Sequence, residues 1–420
     1  MDKKTQGSWL IHHTNKLQGV TNQAGYEKTF LAGKAGILLS AISANRGITV
    51  NNDRLMVLAQ AANINTTFEL PKLIDVLEQQ KLVDKSAGGI AVLGVTTSTA
   101  LERTSDIFES LSPRPQEAAT ISLAERASIS PVLTKDVAEE LGHSFSLIKS
   151  DLNQLFSDSE TIGFVDTERL GTDETLLFNG NLFRRDTTQK IKAVLDSLKP
   201  AEQTALTELT ETLRKRACVT TDYAVKILGE ALFQKVTAVG LFDISVVSNS
   251  TEDVGFVTLP SAFSKYSSSM VDDAFDLAKA FVSSVTYGMT KSSWARGQIQ
   301  MIDALLGALV RGESVGPVRA IAEDYKVLEL KGVVEVKEGT KNGRTGPMLR
   351  LLKKEVGELA LQAIRQGDVS EHSLSALPTA AVTTFDGPES NREKVRRVQT
   401  KVSPKATNDM LSILRKGGGL

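Results

Sequence analysis

The chain has 420 residues, 41% hydrophobic and 24% charged, with a formal net charge of −1. At roughly 100–200 residues per domain, this is room for about two to four domains with their own cores, and the composition excludes a disordered or membrane-embedded chain. The near-neutral balance also excludes a uniformly basic protein, so any surface for a polyanion must be local.

Aromatic residues make up only 5%, so the cores must be built mainly from Leu, Ile, Val and Ala. That favours helices with small hairpins over a large sheet sandwich. The single cysteine, Cys218, leaves no intramolecular disulfide and no multi-cysteine metal site. The N-terminus lacks the apolar run of a signal peptide, and no run of roughly 18 apolar residues follows it. The expectation is a soluble, cytoplasmic protein with no membrane partner.

Residues 1–29 read as a polar N-terminal segment with Trp9, Leu10, Ile11 and Tyr26 as anchors onto a later domain. Phe30, Leu31, Ala35, Leu38, Leu39 and Ile42 recur at three and four, which predicts a helix over 29–44, stopped at Arg46-Gly47. Ile48–Val50 follows as a short strand, and Asn51 or Asn52 caps a second helix running to Ala62. Pro71 opens a third helix, whose inner face is Leu73, Ile74 and Leu77. A hairpin comes next, with strands near 82–85 and 90–95 around Ser86-Ala87-Gly88-Gly89. A helix over 97–111 closes this region, 30–112.

Residues 113–185 repeat the order. A helix over 116–127 leads into Ser130-Pro131, a short helix over 133–141, Gly142 as hinge and a helix over 144–157. Strands at 162–165 and 175–178 then flank a longer wing, 166–174. Residues 186–266 repeat it again: helices split at Pro200, a helix capped by Thr220 or Thr221, a helix over 230–239, and strands at 243–247 and 254–259. In 267–366 a long helix precedes the apolar stripe Ile299, Ile302, Leu305, Leu306, Leu309 and Val310. One helix over 317–330 follows, then strands at 333–336 and 347–352 around a loop at 337–346, and a closing helix over 354–366. This last region lacks a separate short helix before the wing. Residues 367–420 read as linker and basic tail.

The recurrence of three helices closed by a short hairpin resembles tandem winged-helix proteins. The likeness covers about 30–100, 116–180, 200–260 and, more weakly, 297–352, and it is one of pattern, with no signature motif. The expected fold class is therefore mainly α with small antiparallel β-hairpins: three to four tandem winged-helix domains joined by helices. The resemblance implies a third helix in the DNA major groove with the wing near the backbone. It equally admits winged helices that dock proteins, so the fold alone does not assign the function.

Reading DNA needs Lys, Arg, Asn, Gln or Ser on the exposed face of the third helix. The first region offers Lys72, Asp75, Glu78 and Gln79, with two carboxylates set against the phosphates. The second offers His143, Ser144, Ser146, Lys149, Ser150 and Asn153, with Arg184 and Arg185 beyond its wing. The third carries Lys226, Gln234 and Lys235 but has Glu252 and Asp253 at its wing tip. The fourth has the best wing, with Lys337, Lys341, Asn342 and Arg344 and then Arg350, Lys353 and Lys354 on and below a glycine-bearing loop, and Arg396 and Arg397 belong to the tail.

Enzyme chemistry finds no foothold. Gly312-Glu313-Ser314-Val315-Gly316 spells a hydrolase elbow but follows a helix instead of a strand. Asp272-Asp273 reads as a helix-dipole partner, and His12, His13, His143 and His372 are too scattered for zinc. No catalytic residue, cofactor or metal is expected. The function expected is non-catalytic DNA binding, cytoplasmic or nucleoid-associated. The alternative is a scaffold subunit that docks proteins or copies of itself.

Overall fold

The computed structural model describes residues 1–20, 25–43, 49–86, 88–96, 99–170, 174–249, 252–266 and 272–371. The tail bearing Arg396 and Arg397, His372, the wing tip at 171–173 and the side chains of Asp272 and Asp273 lie outside the described residues. The chain is mainly helical with small antiparallel strand pairs and triples, and it divides into two compact units, built on Met1–Asp196 and Ser197–Val369.

The N-terminal unit begins with α1 (Lys3–Leu17), α2 (Glu27–Ser43), α3 (Asn52–Ala61) and α4 (Leu70–Gln79). The ribbon β1 (Val83–Ser86) and β2 (Gly89–Val92) follows, then α5 (Ala100–Ser110). Asn51 caps α3, its side chain accepting from the Arg54 N–H at 2.9 Å. Val50 exchanges both backbone hydrogen bonds with Ile90 of β2, at 2.8 and 2.9 Å, so one residue stands where a first strand would.

The same unit continues with α6 (Pro115–Ile129), β3 (Val132–Leu133), α7 (Thr134–Phe145) and α8 (Lys149–Ile162). The ribbon β4 (Asp166–Leu170) and β5 (Glu174–Phe178) comes next, and α9 (Thr188–Asp196) ends the unit. The strands pair in the order β3-β5-β4. Two expectations are corrected here. Helix α7 runs through Gly142 to Phe145, so Gly142 is not a hinge, and the first wing strand starts at Asp166 instead of 162 because α8 continues to Ile162. Leu141, Leu152, Leu155, Val165 and Leu177 close the core beneath these elements.

The C-terminal unit opens with α10 (Pro200–Arg216), β6 (Cys218–Thr220), α11 (Thr221–Leu228), α12 (Glu230–Ala238), β7 (Asp243–Ser248) and β8 (Asp253–Thr258), paired β6-β8-β7. Two connecting helices follow, α13 (Pro260–Ser264) and α14 (Asp272–Thr290). The last group is α15 (Ile302–Val310), α16 (Ala320–Asp324), α17 (Lys326–Leu330), β9 (Val334–Lys341), β10 (Arg344–Leu351) and α18 (Lys354–Gln366). The single helix expected over 317–330 is broken at Tyr325, buried with φ −113° and ψ 14°. A separate short helix therefore does precede the wing. Val315 exchanges two 2.9 Å hydrogen bonds with Leu349, again in the place of a first strand. Among the described residues, the order helix, strand or bridge, two helices, ribbon thus occurs four times, and we call each occurrence a module. Burial pushes the Cys218 thiol up to about 12 and leaves it inert at neutral pH.

The segment expected to be polar, with Trp9, Leu10 and Ile11 as anchors, is the helix at the heart of the N-terminal unit. Gly7, Ser8, Trp9, Leu10, Ile11, His12, His13 and Thr14 of α1 are consecutive and all buried. The helix is enclosed by α2, α5 and α6. Trp9 Nε1 donates to Glu125 of α6 at 2.7 Å, and the His13 ring stacks on Phe164 with centroids 4.0 Å apart. Both imidazoles are buried with no hydrogen-bond partner on any ring nitrogen among the described residues.

This burial has a pH consequence. Desolvation holds His12 down to about 3 and His13 well below its ordinary value, with Lys16 adding to both and His12 to His13. The folded state therefore binds fewer protons than the unfolded one. The stability is fully present above about pH 6.5 and is lost as pH falls toward 3, at up to about 1.4 kcal/mol per pH unit for each histidine. We expect the unfolding midpoint of the N-terminal unit to drop between pH 6.5 and 4. In the His12→Leu, His13→Phe variant that drop should flatten, and an equally steep acid limb in the variant rules this origin out.

Candidate nucleic-acid interface

The ribbon β9–β10 carries four exposed cations, Lys337, Lys341, Arg344 and Arg350. The expectation of a ten-residue loop at 337–346 is corrected. Those residues are strand, paired in register from Leu351↔Val334 out to Arg344↔Lys341, and only Asn342 and Gly343 form the turn. Both turn residues have positive φ, 54° and 73°, as a two-residue hairpin turn requires.

Register and pleat then sort the side chains. Val334, Val336, Leu349 and Leu351 are buried and share one face. The residues between them share the other, where Arg350 stands opposite Glu335, Met348 opposite Lys337, and Arg344 opposite Lys341. Lys337, Lys341, Arg344 and Arg350 therefore lie on one face, and all four are exposed. Lys337 reaches Glu335 at 2.7 Å, and Lys341 donates to the Ser314 carbonyl at 3.3 Å. Arg344 and Arg350 have no ion pair or hydrogen-bonded side-chain partner among the described residues. At about 3.3 Å per residue the ribbon reaches some 25 Å, and its distal half is solvated on both faces. The helix before it, α17, is short and exposes Val327, so it offers little to a base edge.

The structure divides the second module's candidates. Lys149 and Asn153 lie on α8, exposed one turn apart, with Ser150, Gln154 and Ser157 exposed beside them. Ser144 sits in the last turn of α7, and Ser146 is its left-handed C-cap with φ 54°. Neither belongs to the third helix as predicted, because the chain needs residues 146–148 to turn from α7 into α8. Both remain exposed, at the mouth of that turn. Arg185 forms an ion pair with Glu168 of β4 at 3.4 Å and Arg184 is half-buried, so this pair adds less charge than the sequence suggests.

The other two modules differ. Helix α4 exposes Lys72, Asp75, Glu78 and Gln79. One acid of the third ribbon, Glu252, is tied down: Tyr287 of α14 donates to it at 2.9 Å and accepts from Asn249 at 2.6 Å and Arg296 at 3.1 Å, while Asp253 is exposed. Arg296 also donates to Glu323 and to Asp324, each at 2.9 Å. Burial pushes the Asp324 carboxyl up, against the pull of Arg296 and Asn249. The sequence carried no signal for this network, whose members are far apart along the chain. Arg319, exposed at the start of α16 with no ion pair among the described residues, was also missed, since it falls in what reads as a helix interior.

No group of His, Cys, Asp or Glu able to hold a metal ion is present among the described residues. No helix there is long and apolar enough to cross a membrane. Compared with known proteins, the chain matches no family model and no curated sequence.

Proposed function

We propose that the chain is a non-catalytic DNA-binding protein of tandem winged-helix type, each of the four modules being one winged helix. The recurring order and the first-third-second strand pairing in the β3-β5-β4 and β6-β8-β7 sheets support the fold reading. One observation carries the function: a stiff ribbon that gathers Lys337, Lys341, Arg344 and Arg350 on one face against the single carboxylate of Glu335. Such a face follows a phosphate backbone and displaces its counterions without reading sequence. The polar face of α8 is a second surface of suitable chemistry, with Lys149, Ser150, Asn153 and Gln154 suited to phosphates and base edges.

A salt titration tests the reading. Anisotropy with a labelled duplex at two ionic strengths should show binding that weakens steeply with salt. The triple reversal Lys337→Glu, Arg344→Glu, Arg350→Glu should reduce affinity about 100-fold or more, uniformly across sequences, and lower the salt slope by about three. Unchanged binding in that variant, or none to nucleic acid at low salt, sinks it. A scaffold role is the second reading. Its support is specific: Asp75 and Glu78 face solvent on α4, and Glu252 of the third ribbon is already engaged by Tyr287. These two modules suit protein contacts better than phosphates.

A further inference from the structure

We propose that the basic ribbon serves single-stranded nucleic acid and that Trp294 is the platform on which an unpaired base stacks. This rests on the ribbon reading above and narrows its substrate. The chain has two tryptophans; Trp9 is 0% exposed and Trp294 is 74% exposed. Leaving an indole in water forfeits a large apolar burial, and here the exposure is built in. Trp294 opens a single 3-10 turn, Trp294–Arg296, after α14. Arg296 is held by Tyr287, Glu323 and Asp324, and Ile299 returns a 2.9 Å hydrogen bond to the Gly288 carbonyl of α14. The backbone on both sides of the indole is therefore fixed while the ring projects outward.

The same turn is pinned beside the ribbon. A Cβ on Gly297 would lie 2.6 Å from Val318 Cβ, so the two residues are in close contact. The Val318 N–H donates to the Pro347 carbonyl of β10 at 3.1 Å. The next residue is Arg319, exposed and without an ion pair among the described residues. A path thus runs from the indole, past Arg319, to the edge of the strand that carries Arg344 and Arg350. Of the nearby acids, Glu323 and Asp324 are engaged by Arg296, Glu313 by Arg311 and Glu335 by Lys337, while Glu338, opposite Pro347, is exposed on the other face of the ribbon from the four cations. Cations along a backbone track with one rigid aromatic face are the parts that single-strand binders combine. A duplex keeps its base faces stacked on each other and has none to offer the ring.

The test uses the full chain with labelled oligothymidylate and a duplex of equal length. Trp294→Ala should weaken oligothymidylate binding about tenfold or more and leave duplex affinity within about twofold. Trp294→Phe should restore most of the loss. In the wild type, the exposed component of tryptophan fluorescence should be quenched on binding and protected from acrylamide. Unchanged oligothymidylate affinity in Trp294→Ala, or equal losses for duplex and single strand, overturns the proposal. If the triple ribbon reversal still weakens binding in that case, only the stacking role falls. If neither variant matters, the DNA-binding reading falls with it.

Discussion

Replacing Glu117 with Ala should lower the stability of the N-terminal unit by about 3–5 kcal/mol, the largest loss expected from any single polar substitution in it. Glu117 is fully buried, yet its carboxylate serves two helix starts. Oε1 accepts from the Lys28 and Thr29 N–H groups of α2, both at 2.9 Å, and from the Thr29 hydroxyl at 3.2 Å. Oε2 accepts from the Arg114 N–H at 3.0 Å, so the third residue of α6 reaches back to the backbone of its N-cap. Removal orphans buried donors at both termini and withdraws an anion from two helix dipoles. Denaturant unfolding followed by Trp9 fluorescence in a Trp294→Phe background reads the effect. A loss below about 1 kcal/mol refutes the dual-cap account. Gln at this position keeps acceptor oxygen on one side only and should fall between.

Gly7→Ala and Gly142→Ala should have opposite signs, although both place Ala in a helix interior. Propensity alone favours Ala over Gly by about 1 kcal/mol at either site. At Gly142 of α7 the new methyl would meet Leu152 Cδ1 at 3.5 Å and the Leu147 carbonyl at 3.6 Å, ordinary contact, so a gain of about 0.5–1 kcal/mol is expected. At Gly7 of α1 it would overlap the Leu101 carbonyl oxygen and lie 2.7 Å from the carbonyl carbon. That is backbone of α5, so one helix must move, at a net cost of about 2–4 kcal/mol. Gly33 and Gly36 of α2 are similarly filled by the side chains of Thr14 and Thr104. Thermal melts of the two variants settle it, and a stabilised Gly7→Ala protein means the α1–α5 approach is looser than described.

The ribbon shows how a cluster of cations can be legible while its local structure is misread. Lys337, Lys341, Arg344 and Arg350 are visible in the sequence as a basic wing. Gly339, Gly346 and Pro347 look like loop punctuation, and they mask the hairpin signal of Asn342-Gly343. In the structure Gly339 and Gly346 face each other across the ladder. The side chain of Met348 crosses where a Cβ on Gly339 would be, its sulfur 2.6 Å from that point. Cross-strand packing of that kind leaves no mark in local composition. The first strand of the last module is illegible for a related reason: Val315 is a single residue whose partner lies 34 positions later, whereas the short strand expected at 48–50 has its counterpart in the Val50 bridge to Ile90.

Amphipathic spacing and chain punctuation were enough to determine the helices with one apolar face, the recurrence of helices closed by ribbons, and where cations cluster, because each depends on residues within a turn or two of each other. Only the tertiary structure decided that α1 is a core helix, since Ser8, His12, His13 and Thr14 are enclosed by neighbours from distant parts of the chain. Tertiary contacts alone also decided that Glu252 of the third ribbon is bound by Tyr287, and that four cations of the fourth share a face. Burial and pairing depend on what arrives from elsewhere in the chain, and local sequence does not specify that.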